Sequence, residues 1–429
     1  MTIGEELSSL NARPFAVDSK LDPASTLSVI IPALNEEDGI ADIIQRVLAA
    51  ASALEGVGIH HLELIVVDDG SRDRTPEVVA SFPTVRLLRH PKNRGYGAAI
   101  KTGFNHAQGD LLAFLDADGT YPPEHFSTLC RIALDEHADV VVGSRRSGGQ
   151  SEMPLVRQIG NFIWSNLVSV IGNHRVDDPA SGMRVLRSSA LHQLYPLPDG
   201  LNFTPVMSTR AVHEGLKVVE VPIPYRERVG RSKLNIVRDG TRFLKTILWT
   251  TMEYNPVRVL GMIGLAALGI AVAIGIVITA LRLEGVTQLG PYGVFALFGA
   301  LVLGVAGVSI FSLGATFNYL VSLFHRKPVR EGLFGKPLFR TPLDQHFGGI
   351  GLSIGLVGIV MAATSLVLSL SGWDLSRLWM WLVVSASLVL VGLQLIVSWV
   401  LMRVLETLSE RDLRISQEME SILEDNSAA

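Results

Sequence analysis

Four apolar runs, about Val257–Leu281, Tyr292–Phe324, Gly348–Leu370 and Leu378–Met402, constrain this 429-residue chain more than any other feature. Each meets or exceeds the roughly 20 residues that a helix needs to cross a hydrocarbon layer of about 30 Å. Residues 257–402 are therefore expected to form an all-α transmembrane domain of four helices. Before about Asn255 the pattern changes to apolar strands alternating with charged, amphipathic segments, so a soluble α/β domain precedes the membrane half. Loop charge sets the expected orientation. His325, Arg326, Lys327, Arg330, Lys336 and Arg340 separate the second and third runs, whereas the loops near Arg282 and Arg377 carry one cation each. That asymmetry puts the basic loop, the soluble domain and both termini on the cytoplasmic side of a cell membrane. Residues 1–26 are polar, without the apolar core of a secretory signal, and are expected to be a disordered tail. The one cysteine, Cys130, cannot form an internal disulfide and argues against a Cys-based metal site.

Within the soluble domain, expected over 27–232, Leu27–Ile31 is a β-branched run closed by Pro32-Ala33-Leu34-Asn35-Glu36-Glu37, and an amphipathic helix is predicted from about Asp38 to Leu54. Leu62–Val67 repeats the pattern and ends in Asp68-Asp69-Gly70-Ser71, before a helix reaching Ser81. Val85–Leu88 is a third strand, and Asn93-Arg94-Gly95-Tyr96-Gly97 opens a helix through His106. Leu111–Leu115 is a fourth strand, with a helix from Pro123 to His137 and a fifth strand at Val140–Val142. This rhythm predicts a Rossmann-like, mostly parallel sheet whose ligand lies outside the carboxyl ends of the strands. Asp68, Asp69, Asp116 and Asp118 all fall there. The fourth strand delivers two carboxylates one residue apart, then Gly119 and Thr120. Hard oxygen donors of this kind suit Mg²⁺ or Mn²⁺ beside a diphosphate, which needs few protein ligands; the other reading of an isolated pair is a solvated Asp-rich turn.

The ordered set IIPALNEE, VVDDGSRDRT, NRGYGAAIKTG and LDADGTYPP resembles the GT-A domain of family 2 glycosyltransferases. The resemblance implies a nucleotide-sugar site built from Pro32, Leu34, Asn35, Glu36, Asp68, Asp69, Ser71, Gly95, Gly97, Asp116, Ala117 and Asp118. It also implies a metal held by Asp116 and Asp118, with Thr120 as a third oxygen donor where dolichol-phosphate mannose synthases often carry Gln. Two later segments narrow the likeness: Asp178-Pro179-Ala180-Ser181-Gly182, and Arg228-Val229-Gly230-Arg231-Ser232-Lys233. Both resemble elements of dolichol-phosphate mannose synthase and related polyprenyl-phosphate glycosyltransferases. Arg145, Arg228, Ser232 and Lys233 can gather phosphate oxygens by charge-assisted hydrogen bonds, and Arg228, Lys233 and Asp178 join Asp116 and Asp118 as expected catalytic residues.

The expected function is thus inverting transfer of a hexose from a nucleotide sugar of the GDP-mannose or UDP-glucose type to a polyprenyl or dolichyl phosphate. Two other functions compete: a processive polysaccharide synthase, against which stands the lack of a Q-x-x-R-W element, and a non-catalytic binder of nucleotide sugar or lipid-linked sugar. The stretch 233–256 reads as an amphipathic interfacial helix, with Arg238, Arg242 and Lys245 among Val237, Leu244, Leu248 and Met252. Residues 403–429 read as a cytoplasmic tail with a short charged helix. Small residues at Gly261, Gly264, Ala267, Gly269, Gly351, Gly355 and Gly358 suggest close helix packing, within the chain or in a homo-oligomer, and Asn318 is a candidate interhelical hydrogen-bonding residue. No nucleic-acid partner is expected.

Overall fold

A computed structural model describes residues 25–145, 165, 166, 169, 177–224, 236–286, 290–325, 343–373 and 375–428. The chain divides between Thr250 and Thr251 into two compact units. The first is organised on a seven-stranded sheet in the order β3-β2-β1-β4-β6-β5-β7. Its strands are β1 (Ser25–Ala33), β2 (Ile59–Asp68), β3 (Val85–Arg89), β4 (Leu111–Leu115), β5 (Val140–Ser144), β6 (Met183–Arg187) and β7 (Val218–Pro222). All neighbours run parallel except β6, which is antiparallel to both β4 and β5.

The central strands read as unbroken apolar runs because both faces are covered. In β1, Leu27, Val29 and Ile31 enter one core while Ile30 enters the other, and in β4 Leu111, Ala113 and Leu115 alternate with Leu112 and Phe114 in the same way. Helix α1 (Ile40–Ala49) lays Ile40, Ile43, Ile44 and Val47 on the first face, the i, i+3, i+4, i+7 stripe of an amphipathic helix. Helix α5 (Phe126–Asp135) adds Phe126, Leu129, Cys130 and Ala133 there. Ile100 and Phe104 of α4 (Tyr96–His106) and Phe203, Val206 and Met207 of the helix Phe203–His213 cover the second face.

Several boundaries differ from the sequence expectation. The helix expected over Asp38–Leu54 breaks at Ala50, whose N–H is shared between the carbonyls of Arg46 and Val47, and resumes as α2 (Ala51–Glu55). The helix expected from Pro123 starts as a single 3₁₀ turn, Pro123–His125. Helix α4 begins only at Tyr96, since Gly95 has φ 108°. The strands read from the sequence stop at the fifth, and β6 and β7 follow it in the structure.

The second unit contains four helices long and apolar enough to cross a membrane, Pro256–Leu283, Pro291–Phe324, Phe347–Leu370 and Leu378–Leu408. The last belongs to one continuous helix, Leu375–Ala428, so the charged residues after Leu408 continue this helix rather than forming a separate short one. Gly264 faces Gly307, where an added Cβ would lie 2.6 Å from the Gly307 carbonyl, and Gly351 faces Gly392 equally closely, at 2.7 Å. These small residues pack helices within the chain, whereas Gly269 has open space beside it. Asn318 Oδ1 accepts the Val257 N–H at 3.3 Å, tying the second span to the first turn of the first.

Candidate active site

Strand order reverses between β1 and β4, because β2 follows β1 on one side while β4 takes the other. Such a switch point opens a crevice beyond the carboxyl ends of the two strands. The loops after β1, β2 and β4 form its walls, and each is braced by short polar side chains. Asn35, held at φ 52°, donates its N–H to Ser71 Oγ at 2.9 Å, and its Oδ1 accepts the Arg72 N–H at 2.8 Å. The Glu36 N–H reaches Thr75 Oγ1 at 2.9 Å. Pro32, Leu34 and Glu36 are half-buried along this edge, so the expected nucleoside wall is brought together as one surface.

The two acids that close β2 do different work. Asp68 is wholly buried; Oδ1 accepts the Ser71 N–H at 2.9 Å and Oδ2 meets Arg89 Nε at 3.3 Å. Asp69 accepts the N–H groups of Arg94 and Gly95, each at 2.8 Å, and pairs with His90 Nδ1 at 2.7 Å. It therefore braces the turn that starts α4. The glycines of that turn admit the chain's own backbone: a Cβ on Gly95 would collide with the Asp199 carbonyl, and one on Gly97 with the Pro198 carbonyl. The Asp199 carbonyl accepts the Ala98 N–H at 3.1 Å, and Lys101 Nζ anchors the same segment through Leu197 O at 2.8 Å and Asp199 at 2.6 Å.

At the end of β4, Asp116 and Asp118 face different neighbours. Asp116 Oδ1 accepts the Tyr96 hydroxyl at 2.7 Å, and its carboxylate lies against the bare Cα of Gly182, where any Cβ would overlap it. Asp118 Oδ1 accepts the Thr120 hydroxyl at 2.6 Å, Ala117 is buried between the two acids, and Gly119 turns the loop at φ 76°. Among the described residues no group of three or more His, Cys, Asp and Glu is placed to hold a metal ion.

Because β6 runs backwards, the residues that precede it reach the same edge where the other strands finish. Asp178, wholly buried, receives the Arg145 N–H at 3.0 Å, Nε at 2.7 Å and Nη2 at 2.6 Å, a forked ion pair. The Arg145 guanidinium also lies over the Tyr121 ring, 5.8 Å from its centroid, while the Tyr121 hydroxyl accepts the Gly182 N–H at 2.7 Å. Arg228, Ser232 and Lys233 lie outside the described residues.

Four residues that motif reading had not assigned to the site complete its floor. Tyr96, half-buried, and Tyr121, buried, are phenols whose pKa values desolvation pushes up, with Asp116 adding to the rise, so both stay protonated. Arg184 is wholly buried and donates to the carbonyls of Ser181 and Pro179, at 3.2 and 2.7 Å. Burial brings its pKa down to about 10, against the pull of Asp178, which leaves it charged at neutral pH. Glu220 accepts the N–H groups of Asp177 and Asp178 at 2.9 and 3.2 Å, and burial raises its carboxyl above the usual range. Arg184 and Glu220 flank Val142 in one register row. Tyr96 could have been suspected from its place between the two glycines of the third motif, and Arg184 from its place two residues after Ser181-Gly182.

A doubly wound sheet with one reversed strand, and an acid-lined crevice at its switch point, define a GT-A fold. The model of glycosyl transferase family 2 matches residues 28–195, and that of a domain of unknown function (DUF8752) matches residues 256–416. The low-salt glycan biosynthesis hexosyltransferase Agl6 of Haloferax volcanii is 33% identical over 298 residues, covering 68% of either chain. An undecaprenyl-phosphate 4-deoxy-4-formamido-L-arabinose transferase of Edwardsiella ictaluri is 29% identical over 323 residues, 73% of this chain and 94% of that one. A dolichyl-phosphate hexose transferase of Haloferax volcanii is 29% identical over 227 residues, 53% of this chain and 94% of that one. Among solved structures, glucosyl-3-phosphoglycerate synthase from Mycobacterium tuberculosis in complex with Mn²⁺, uridine diphosphate and phosphoglyceric acid aligns at 24% identity with a TM-score of 0.43, over 53% of this chain and 78% of that one. The chain belongs to glycosyltransferase family 2, and it is an enzyme of the sugar-transferring class.

Proposed function

We propose that this enzyme moves a hexose from a nucleotide sugar, of the GDP-mannose or UDP-glucose type, to the phosphate of a polyprenyl lipid, with inversion at the anomeric carbon. The observation that carries the reading is the carboxyl edge of the sheet, where β2 ends in Asp68 and β4 runs into Asp116 and Asp118 on either side of β1, in a chain that also bears four helices of membrane length. Relatives named for undecaprenyl-phosphate and dolichyl-phosphate transfer support the acceptor class.

A phosphate acceptor is already an anion at neutral pH, so it attacks carbon without the general base that a sugar hydroxyl requires. The protein's work is then positioning and charge balance. The first loop wall, Pro32 to Glu36, with Asp68 beneath it, takes the nucleoside. Asp116 and Asp118, with the Thr120 hydroxyl, supply hard oxygen donors, a set that fits Mg²⁺ or Mn²⁺ because diphosphate oxygens and water fill the remaining positions. When bound, such an ion offsets the charge that builds on the departing nucleoside diphosphate. Arg145, whose guanidinium Asp178 orients, joins Arg228, Ser232 and Lys233 in holding the acceptor phosphate in line. The cytoplasmic orientation follows from the basic loop between the second and third spans, and the helix Ile236–Tyr254, with Trp249 exposed, suits the bilayer surface.

The test is transfer by the purified full-length protein in detergent, given a panel of radiolabelled nucleotide sugars, Mn²⁺ or Mg²⁺ and a short polyprenyl phosphate. A lipid-extractable labelled product is expected, lost in Asp118→Ala and in Lys233→Ala. Nucleotide binding with no transfer from any donor would overturn the catalytic reading in favour of a binding protein.

A further inference from the structure

The Tyr96 phenol has no place in the reaction just derived, yet it lies half-buried beside the acid that follows β4, packed against the second core. Its hydroxyl donates to Asp116 Oδ1 at 2.7 Å, and the opposite side of that carboxylate rests on Gly182. Gly182 is itself fixed, because its N–H is held by the Tyr121 hydroxyl at 2.7 Å. Asp116 is thus held between two elements, by Tyr96 of α4 and by Gly182 just before β6.

The grip from α4 is set by a separate piece of chain. Backbone at Pro198 and Asp199 presses on Gly95 and Gly97, the residues on either side of Tyr96, and Lys101 pins that segment from one turn further along. The ring of Tyr96 packs edge-on against Phe203, 6.4 Å between centroids, which follows directly after the segment. Asp69 holds the Gly95 N–H from behind at 2.8 Å. A side chain supported this fully is aimed rather than merely stored.

We infer that Tyr96 is a positioning residue: its hydroxyl fixes the rotation of the Asp116 carboxylate, and the Pro198–Asp199 backbone seated on Gly95 and Gly97 holds that hydroxyl in place. The inference rests on the reading of Asp116 as an oxygen donor to a divalent cation beside the diphosphate. Groups that orient a metal-binding carboxylate typically matter about tenfold or more for cation affinity.

The experiment measures binding rather than turnover. Full-length protein in detergent is titrated calorimetrically with UDP and with GDP, each with and without Mn²⁺, and the gain in nucleotide affinity that Mn²⁺ confers is the readout. In Tyr96→Phe that gain is expected to fall about tenfold while affinity without metal and the thermal midpoint stay near wild type. Gly97→Ala, which lifts the first turn of α4 off the Pro198 carbonyl, should lose the same share, and adding Tyr96→Phe to it should cost little more. A full Mn²⁺ gain in Tyr96→Phe overturns the inference and leaves the transferase reading standing. Equal loss with and without metal overturns it in favour of a purely structural tyrosine. Wild-type protein that binds neither nucleotide, or binds with no Mn²⁺ gain, removes the metal-site reading itself and the inference with it.

Discussion

Cutting the Arg145–Asp178 pair should loosen the sugar-transferring unit by an amount that can be worked out from its geometry. Asp178 is wholly buried and Arg145 exposes 15% of its side chain, so neither charge can be rehydrated without opening the fold. Three hydrogen bonds converge on one carboxylate. Removing one member of a buried pair costs about 3–5 kcal/mol, since the survivor is left desolvated and uncompensated. Asp178→Ala and Arg145→Met should each cost about that much, and the double variant well under the sum, with a coupling of at least ~2 kcal/mol. Cys130 provides the assay. It is the chain's single cysteine, wholly buried on α5 in the same unit, and burial pushes its thiol pKa up. Its alkylation at constant pH therefore reports opening of this unit without interference from the membrane helices. At about 1.4 kcal/mol per decade, either single variant should speed labelling by roughly two to three and a half orders of magnitude. Labelling rates that simply multiply in the double variant would show that the two side chains act independently, and the forked-pair account would fail.

Other outcomes follow from single positions. Native protein should resist maleimide at Cys130 for hours and react at once in denaturant; fast native labelling would contradict the packing of α5. Burial raises the Glu220 carboxyl, so its charged form is disfavoured in the folded state, and the stability it lends is full below about 4.5, its unfolded value, and lost as pH rises through the folded pKa. Glu220→Gln, neutral throughout, should therefore gain on wild type in thermal midpoint between pH 4.5 and neutrality, and a pH-independent difference would count against that assignment. Gly392→Val places its Cβ 2.6 Å from the Gly351 carbonyl and should lower the detergent-solubilised melting point of the membrane unit by several degrees while leaving Cys130 labelling unchanged. Asp118→Ala should abolish any Mn²⁺-dependent gain in UDP or GDP affinity, read by calorimetry.

Strands β1, β2 and β4 were legible because burial on both faces writes itself as a continuous apolar run, and the acids that end them followed from the same reading. Strands β6 and β7 were not. Met183-Arg184-Val185-Leu186-Arg187 carries two arginines, and its antiparallel entry breaks the strand–helix rhythm that gave the rest away. Val218-Val219-Glu220-Val221-Pro222 holds a half-buried acid where a core strand would have an apolar residue. At the site, Asp116 and Asp118 announce themselves by spacing, whereas the Arg145–Asp178 fork joins positions 33 residues apart, a pairing that only the register of β5 and β6 creates. Gly95 and Gly97 enter the expected nucleotide-sugar site through the resemblance alone. In the folded chain the nearest backbone to them belongs to Pro198 and Asp199.

The reversal of β6 has a consequence for how the enzyme can vary. The excursion that leaves β5 at Arg145 comes back to the sheet at Asp178, beside its point of departure, and the guanidinium–carboxylate fork is a drawstring across that neck. Closing a longer or shorter loop at a fixed neck changes its entropy only logarithmically, by about 0.6 kcal/mol per doubling of length. The fork therefore holds β5 and β6 in register at nearly the same entropic cost whatever length of chain joins them, so exchanging that connection should shift no strand.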